Sequence, residues 1–184
     1  VIKGVVFDRD GTLIEYVPYL HRTSDVRFYP GVLTACQQLK QRGVLLFIAT
    51  NQSGIGRGYF SMDDYMTVEA HVETELEGHG AAIEKTYFSP YHPHHGVGKY
   101  KQETACRKPN PGMIQQLLAE YSFTPADIIM VGDSIVDIEC AQHAGIGSAL
   151  VRTGLGMVTE TTATPNYVGD TIADIVTHYI LPQC

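Results

Sequence analysis

The chain has 184 residues, 44% hydrophobic and 18% charged, with a formal net charge of -7. That is enough chain for one real core and short of the usual size for two, so residues 1–184 are expected to form a single domain. The acidic balance argues against a nucleic-acid surface, which needs a basic stripe to displace counterions, and no apolar run approaches the ~20 residues of a membrane span.

The N-terminus enters an apolar run directly, without a basic region, a long apolar stretch or a small-residue cleavage site, which predicts a cytoplasmic address. Val5-Val6-Phe7 behind Val1-Ile2 reads as a strand buried on both faces, stopped by Asp8-Arg9-Asp10-Gly11-Thr12. In an open α/β sheet the carboxyl end of a strand is where ligands bind, so Asp8 and Asp10 are placed for chemistry. Two acids so close repel each other, and a hard divalent cation with oxygen ligands, Mg2+ first, is the usual remedy.

Glu15 to Pro30 shows no period and is read as a loop folding over the site, with Tyr16, Tyr19, Phe28 and Tyr29 in it. Apolar residues at Val32, Leu33, Cys36 and Leu39 predict a helix over 31–42 closed by Gly43. Val44 to Ala49 is a second buried strand, ending in Thr50-Asn51-Gln52-Ser53. Gly54 to Gly58 is a glycine cluster whose amides could approach an anion, or only a turn. Ser61 then caps a helix to about Gly78, with Asp63 and Asp64 in its first turn.

A third strand is expected over 83–88. The stretch 89–106, rich in Pro, His and Gly, is too long for a simple connector. Arg107-Lys108-Pro109-Asn110-Pro111 precedes a helix through Met113 and Leu117, and Ile128 to Val131 is a strand ending in Gly132-Asp133-Ser134 with Asp137 one turn on. A helix to about Ala144, a strand over 149–151 and a last helix over 172–179 complete a strand-helix alternation. This predicts a Rossmann-like three-layer α/β sandwich with a mostly parallel sheet and no large cap domain. Cys36, Cys106, Cys140 and Cys184 have no close pair and read as free thiols.

Right-handed crossovers bring the strand ends to one edge, where Asp8, Asp10, Thr50, Asn51, Lys108, Asp133 and Asp137 are expected to meet. Acids with one lysine and a hydroxyl-amide pair suit phosphoryl transfer, one carboxylate attacking phosphorus while a second moves a proton. The four segments 8–12, 50–53, 107–109 and 132–137 resemble, in order, the four motifs of haloacid-dehalogenase (HAD) superfamily phosphatases. More narrowly, Thr-Asn-Gln-Ser-Gly-Ile-x-Arg-Gly and Cys-Arg-Lys-Pro-x-Pro-Gly-Met resemble the heptose 1,7-bisphosphate phosphatases and the related histidinol-phosphate phosphatases.

The resemblance implies Asp8 as nucleophile and Asp10 as general acid then base. It implies Mg2+ on the Asp8 carboxylate, the Asp10 backbone carbonyl and Asp133. Thr50, Asn51 and Lys108 are then expected on the transferring phosphate, Asp137 on Lys108 or a metal-bound water, and Arg107, Gln52, Ser53 and Arg57 on the rest of the substrate. The implied partner is a small anionic sugar phosphate bound by a monomer. Histidinol phosphate is the alternative substrate, and a receiver-type phospho-acceptor domain the alternative of another class.

Two departures stand out. Ser134 replaces a lysine often found there in the bisphosphatases. Ser89-Pro90-Tyr91 and Thr104-Ala105-Cys106 replace the Cys-x-His and Cys-x-Cys of a zinc loop, so structural Zn2+ is not expected. His92, His94, His95 and Cys106 are the residues from which a substitute site could be built, and the loop is expected to be mobile without substrate.

Overall fold

The computed structural model describes residues 1–184. Strand β1 (Gly4–Phe7) is buried at every position, which is why its sequence runs apolar without alternating. Helix α1 (Val32–Gln41) ends before Gly43, whose φ of 79° is the left-handed turn that glycine adopts without a Cβ clash. Strand β2 (Leu45–Asn51) runs into a single helical turn, α2 (Ser53–Gly56). Helix α3 (Met62–Gly78) opens on a reciprocal cap in which the Asp64 N–H donates to Ser61 Oγ (3.0 Å) and the Ser61 N–H to Asp64 Oδ2 (2.8 Å).

Strand β3 (Lys85–Ser89), helix α4 (Gly112–Glu120) and strand β4 (Ile128–Gly132) follow, then helix α5 (Ile135–Ala144) and strand β5 (Gly147–Val151). A short turn α6 (Gly156–Thr159), strand β6 (Tyr167–Gly169) and helix α7 (Ile172–Ile175) complete the chain.

The six strands are all parallel in the order β3-β2-β1-β4-β5-β6. Each face carries its own core. Val5, Phe7, Leu46, Ile48, Ile129 and Val131 pack against Leu39 of α1, Val68 and Val72 of α3 and Ile175 of α7. Val6, Phe47, Ala49 and Met130 face Met113 and Leu117 of α4 and Cys140 and Ala141 of α5 on the other side. The chain order reverses at β1, with β2 on one flank and β4 on the other, and such a switch point opens the crevice in which α/β proteins bind ligands.

Several expectations need correction. The final helix is α-helical only over Ile172–Ile175 and continues as a wider turn over Val176–Ile180. β6 was not expected, nor were α2 and α6. The glycine cluster is not an open loop: Gly54 and Gly56 lie inside α2, where an added Cβ would come within 2.2 Å of the Phe60 ring and 2.3 Å of the Pro90 carbonyl. These glycines are required by packing. No inserted element is large enough to form a cap domain, and no helix is long and apolar enough to cross a membrane.

Candidate active site

Phe7 pairs with Ile48 on one side and Val131 on the other, which brings the carboxyl ends of β1, β2 and β4 to one edge of the sheet. The residues just beyond, Asp8, Thr50 and Asp133, therefore face one cleft. Lys108 reaches in from the loop before α4 and is almost wholly buried. Its Nζ donates to Asp8 Oδ1 (2.9 Å), Asp137 Oδ1 (2.7 Å) and the Ala49 carbonyl (2.6 Å), which uses all three of its protons. Burial works against this charge, but Asp137 and then Asp8 outweigh it and hold the ammonium protonated.

Asp137 is fully committed, because its other oxygen accepts from the Ser134 N–H (3.0 Å) and hydroxyl (2.8 Å) at the start of α5. Of the two roles expected for it, the geometry gives the first, orienting Lys108. Asp133 accepts from the Thr12 hydroxyl (3.2 Å) and the Leu155 N–H (2.8 Å). Two glycines at positive φ cradle it: a Cβ on Gly11 would lie 2.3 Å, and one on Gly154 2.2 Å, from Asp133 Oδ2.

Carboxylate oxygens of Asp8, Asp133 and Asp137 all lie within 4.8 Å of one another. Burial, reinforced by Asp137, pushes Asp8 well above the usual carboxylate range and Asp133 up to about 6. One ammonium undercompensates three buried acids. An all-oxygen donor set that repels itself fits a hard divalent cation, and with Asp137 occupied, Asp8 and Asp133 are the side chains free to hold it.

Asp10 sits one step outward. Its Oδ2 accepts from Gln52 Nε2 (2.8 Å) and Arg9 Nε (3.1 Å). The same Gln52 amide donates to Thr50 Oγ1 (2.9 Å), leaving the Thr50 hydroxyl proton free for another acceptor. Gln52 thus ties two site residues together rather than simply facing a substrate. The Asn51 side chain is used at both ends by the Lys108 backbone, accepting from its N–H and donating to its carbonyl at 3.0 Å each. It fixes the lysine loop and keeps one Nδ2 proton for another acceptor in the cleft that it lines.

The cleft has two lobes. The inner one, about 150 Å³, is lined by Asp8, Thr50, Lys108, Asp133 and Ser134. The outer one, about 210 Å³, is walled by Tyr19, Leu20, Ser53 and Phe60, and Asp10, Tyr16 and Asn51 border both. Tyr16 and Tyr19 bear out the loop expected to fold over the site. The Arg57 guanidinium lies 5.7 Å from the centre of the Tyr19 ring, and its buried Nε has no hydrogen-bond partner. Arg107 donates to the Tyr91 carbonyl (3.1 Å). Burial, then the like charge of Arg57, lowers its pKa.

The residues at the zinc-loop positions contact one another. Cys106 Sγ lies 3.4 Å from Ser89 Oγ and 3.2 Å from Thr104 Oγ1. His92, His94 and His95 do not converge with Cys106 on one point, and Asp8, Asp133 and Asp137 form the single cluster with metal-ligand spacing. His92 Nδ1 accepts the backbone N–H groups of His94 (3.2 Å) and His95 (3.1 Å).

Sequence reasoning missed Thr12, the Leu155 N–H, Arg9 and Glu69. Thr12 and Arg9 stand inside a motif and could have been questioned, whereas a backbone donor from a later loop leaves no sequence signal.

Residues 105–175 match the family described as HAD-hydrolase-like. A D-glycero-beta-D-manno-heptose-1,7-bisphosphate 7-phosphatase from Haemophilus ducreyi is 39% identical, over 95% of this chain and 96% of that one. Its counterpart from Pasteurella multocida is 38% identical over 94% of each. The structure of D,D-heptose 1,7-bisphosphate phosphatase from B. bronchiseptica, complexed with magnesium and phosphate, superposes with a TM-score of 0.85 at 29% identity, covering 95% of this chain and 96% of that one.

Proposed function

Since the chain belongs to the heptose-1,7-bisphosphate 7-phosphatase family of HAD-like hydrolases, we propose that it is a Mg2+-dependent phosphatase that removes the 7-phosphate of D-glycero-D-manno-heptose 1,7-bisphosphate through an aspartyl-phosphate on Asp8. The observation that carries the mechanism is the Lys108 ammonium bonded to Asp8 at the bottom of a cleft lined by Thr50, Asp10 and Asp133. It presents one carboxylate to an incoming phosphorus with its charge already opposed by a fixed cation.

The 7-phosphate occupies the inner lobe. The free Asp8 oxygen attacks phosphorus, the bond to the sugar oxygen breaks, and Asp10 delivers a proton to that oxygen. Asp10 then takes a proton from the water that attacks the aspartyl-phosphate, releasing phosphate and restoring Asp8. The Thr50 hydroxyl donates to a phosphoryl oxygen, and Asn51 and Asp137 serve by holding Lys108. Asp8 and Asp133, with the Asp10 carbonyl, would hold Mg2+, which would supply positive charge against the phosphoryl oxygens.

The outer lobe takes the sugar. Arg57 and Arg107, only partly satisfied, are assigned to its second phosphate, with Ser53 at the lobe wall. Ser134 borders the inner lobe with its hydroxyl turned to Asp137. All these residues come from one chain, which supports a complete site in a single 184-residue domain. Asp8→Asn tests the covalent step: turnover with Mg2+ present is expected to vanish, and a near-normal rate contradicts it.

A further inference from the structure

Arg9 and Glu69 take no part in the reaction as written, yet they form an ion pair buried at both ends. Arg9 is 0% exposed and Glu69, in the middle of α3, 5% exposed. Arg9 Nη1 donates to Glu69 Oε2 (2.8 Å), and its guanidinium lies 5.6 Å from the centre of the Tyr65 ring. The other Glu69 oxygen accepts from the Thr86 hydroxyl of β3 (3.3 Å). Burial opposes the Arg9 charge, and Asp10 and Glu69 overcome it. Stability does not account for such a pair, because desolvating two ions costs several kcal/mol each and well-packed apolar side chains of similar volume are often as stable.

What the pair fixes is Asp10. Arg9 Nε and Gln52 Nε2 converge on Asp10 Oδ2, at 3.1 and 2.8 Å. An aspartate whose side chain is 20% exposed could otherwise turn about its side-chain bonds. The far end of the long Arg9 side chain is in turn clamped by Glu69.

We propose that Glu69, acting through Arg9, is a positioning residue for Asp10, so that helix α3 takes part in setting the proton-transfer geometry. The inference rests on the reading of Asp10 as the acid and base. Its signature follows from the chemistry. Protonating the departing oxygen is essential for a strongly basic sugar alkoxide and nearly dispensable for p-nitrophenolate, so in kcat/KM, which ends at release of the leaving group and excludes the shared hydrolysis of the aspartyl-phosphate, a misplaced Asp10 penalises the first substrate far more than the second.

The experiment measures kcat and KM for heptose 1,7-bisphosphate and p-nitrophenyl phosphate in the wild type, Asp10→Asn, Glu69→Gln and the double variant Arg9→Met with Glu69→Leu. The double variant leaves no unpaired buried charge and serves if Glu69→Gln does not fold. Either variant is expected to lose roughly 10- to 100-fold in kcat/KM on the sugar phosphate, with kcat/KM on p-nitrophenyl phosphate changed less than about twofold. Equal losses on both substrates, or no loss on either, overturn the proposal while Asp10→Asn still discriminates. If Asp10→Asn itself fails to discriminate, the reading of Asp10 falls and this inference with it.

Discussion

Lys108 concentrates the tension of the site in one residue. Its ammonium is the sole protein cation bonded to Asp8 and Asp137, and all three groups are buried. Replacing it by methionine leaves two carboxylates facing each other in a low dielectric, the situation in which breaking a buried pair costs about 3–5 kcal/mol. Lys108→Met is therefore expected to lower stability by that order in urea titration without metal, and to abolish turnover. Asp10→Asn is expected to behave differently, keeping KM within a small factor while kcat on the sugar phosphate falls by roughly 10²- to 10⁴-fold. Residues of this kind were legible because their types and their places at strand ends point to one reaction. Glu69 was not, because it meets Arg9 across 60 positions of chain and its spacing within α3 is only that of a helix's buried stripe.

At the scale of elements, the strands that build the site were read from sequence nearly as they stand, since buried parallel strands are unbroken apolar runs. β6 escaped because three residues carry no periodicity, and the reason for the glycines of α2 was hidden because local sequence does not reveal that Phe60 and Pro90 press on them. The loop over 89–106 is organised by its own contacts: His92 N–H to the Tyr100 carbonyl (3.1 Å), Val97 N–H to the Gly56 carbonyl (2.7 Å), and the two amides on His92 Nδ1. Those amides require an unprotonated ring nitrogen. Burial, then Arg107 and Arg57, pushes His92 down from 6.5 to about 4. A depressed folded pKa means that the unfolded or opened loop binds the proton more readily, so the His92 contribution is complete above pH 6.5 and is lost as pH falls through 4. Amide hydrogen exchange over 92–100, referenced to the sheet, is expected to accelerate across that window in the wild type and to lose that pH dependence in His92→Asn. The same window in both proteins would contradict the assignment.

Across the whole molecule, the switch of chain order at β1 sends the two flanking crossovers in opposite directions and leaves three buried acids at the opening. The fold holds this cluster at a cost that a bound cation relieves. Mg2+ is therefore expected to raise the melting temperature in proportion to RT ln(1 + [Mg2+]/Kd), and EDTA to remove both the gain and the activity. Asp133→Asn should abolish most of that thermal shift, and an unchanged shift would move the cation elsewhere. The layered architecture was legible from the alternation of apolar runs and helical stripes. The division of the cleft into an inner and an outer lobe was not, because it depends on where the irregular segment 15–30 lays Tyr16 and Tyr19 over the cleft.

The central claim is that this cleft takes a heptose bisphosphate by its 7-phosphate. Phosphorus NMR of the reaction with heptose 1,7-bisphosphate, run against histidinol phosphate at equal concentration with Mg2+, tests it most directly. The account predicts inorganic phosphate and heptose 1-phosphate as the products, formed faster than histidinol phosphate is consumed. Release of the 1-phosphate, or faster hydrolysis of histidinol phosphate, would contradict it.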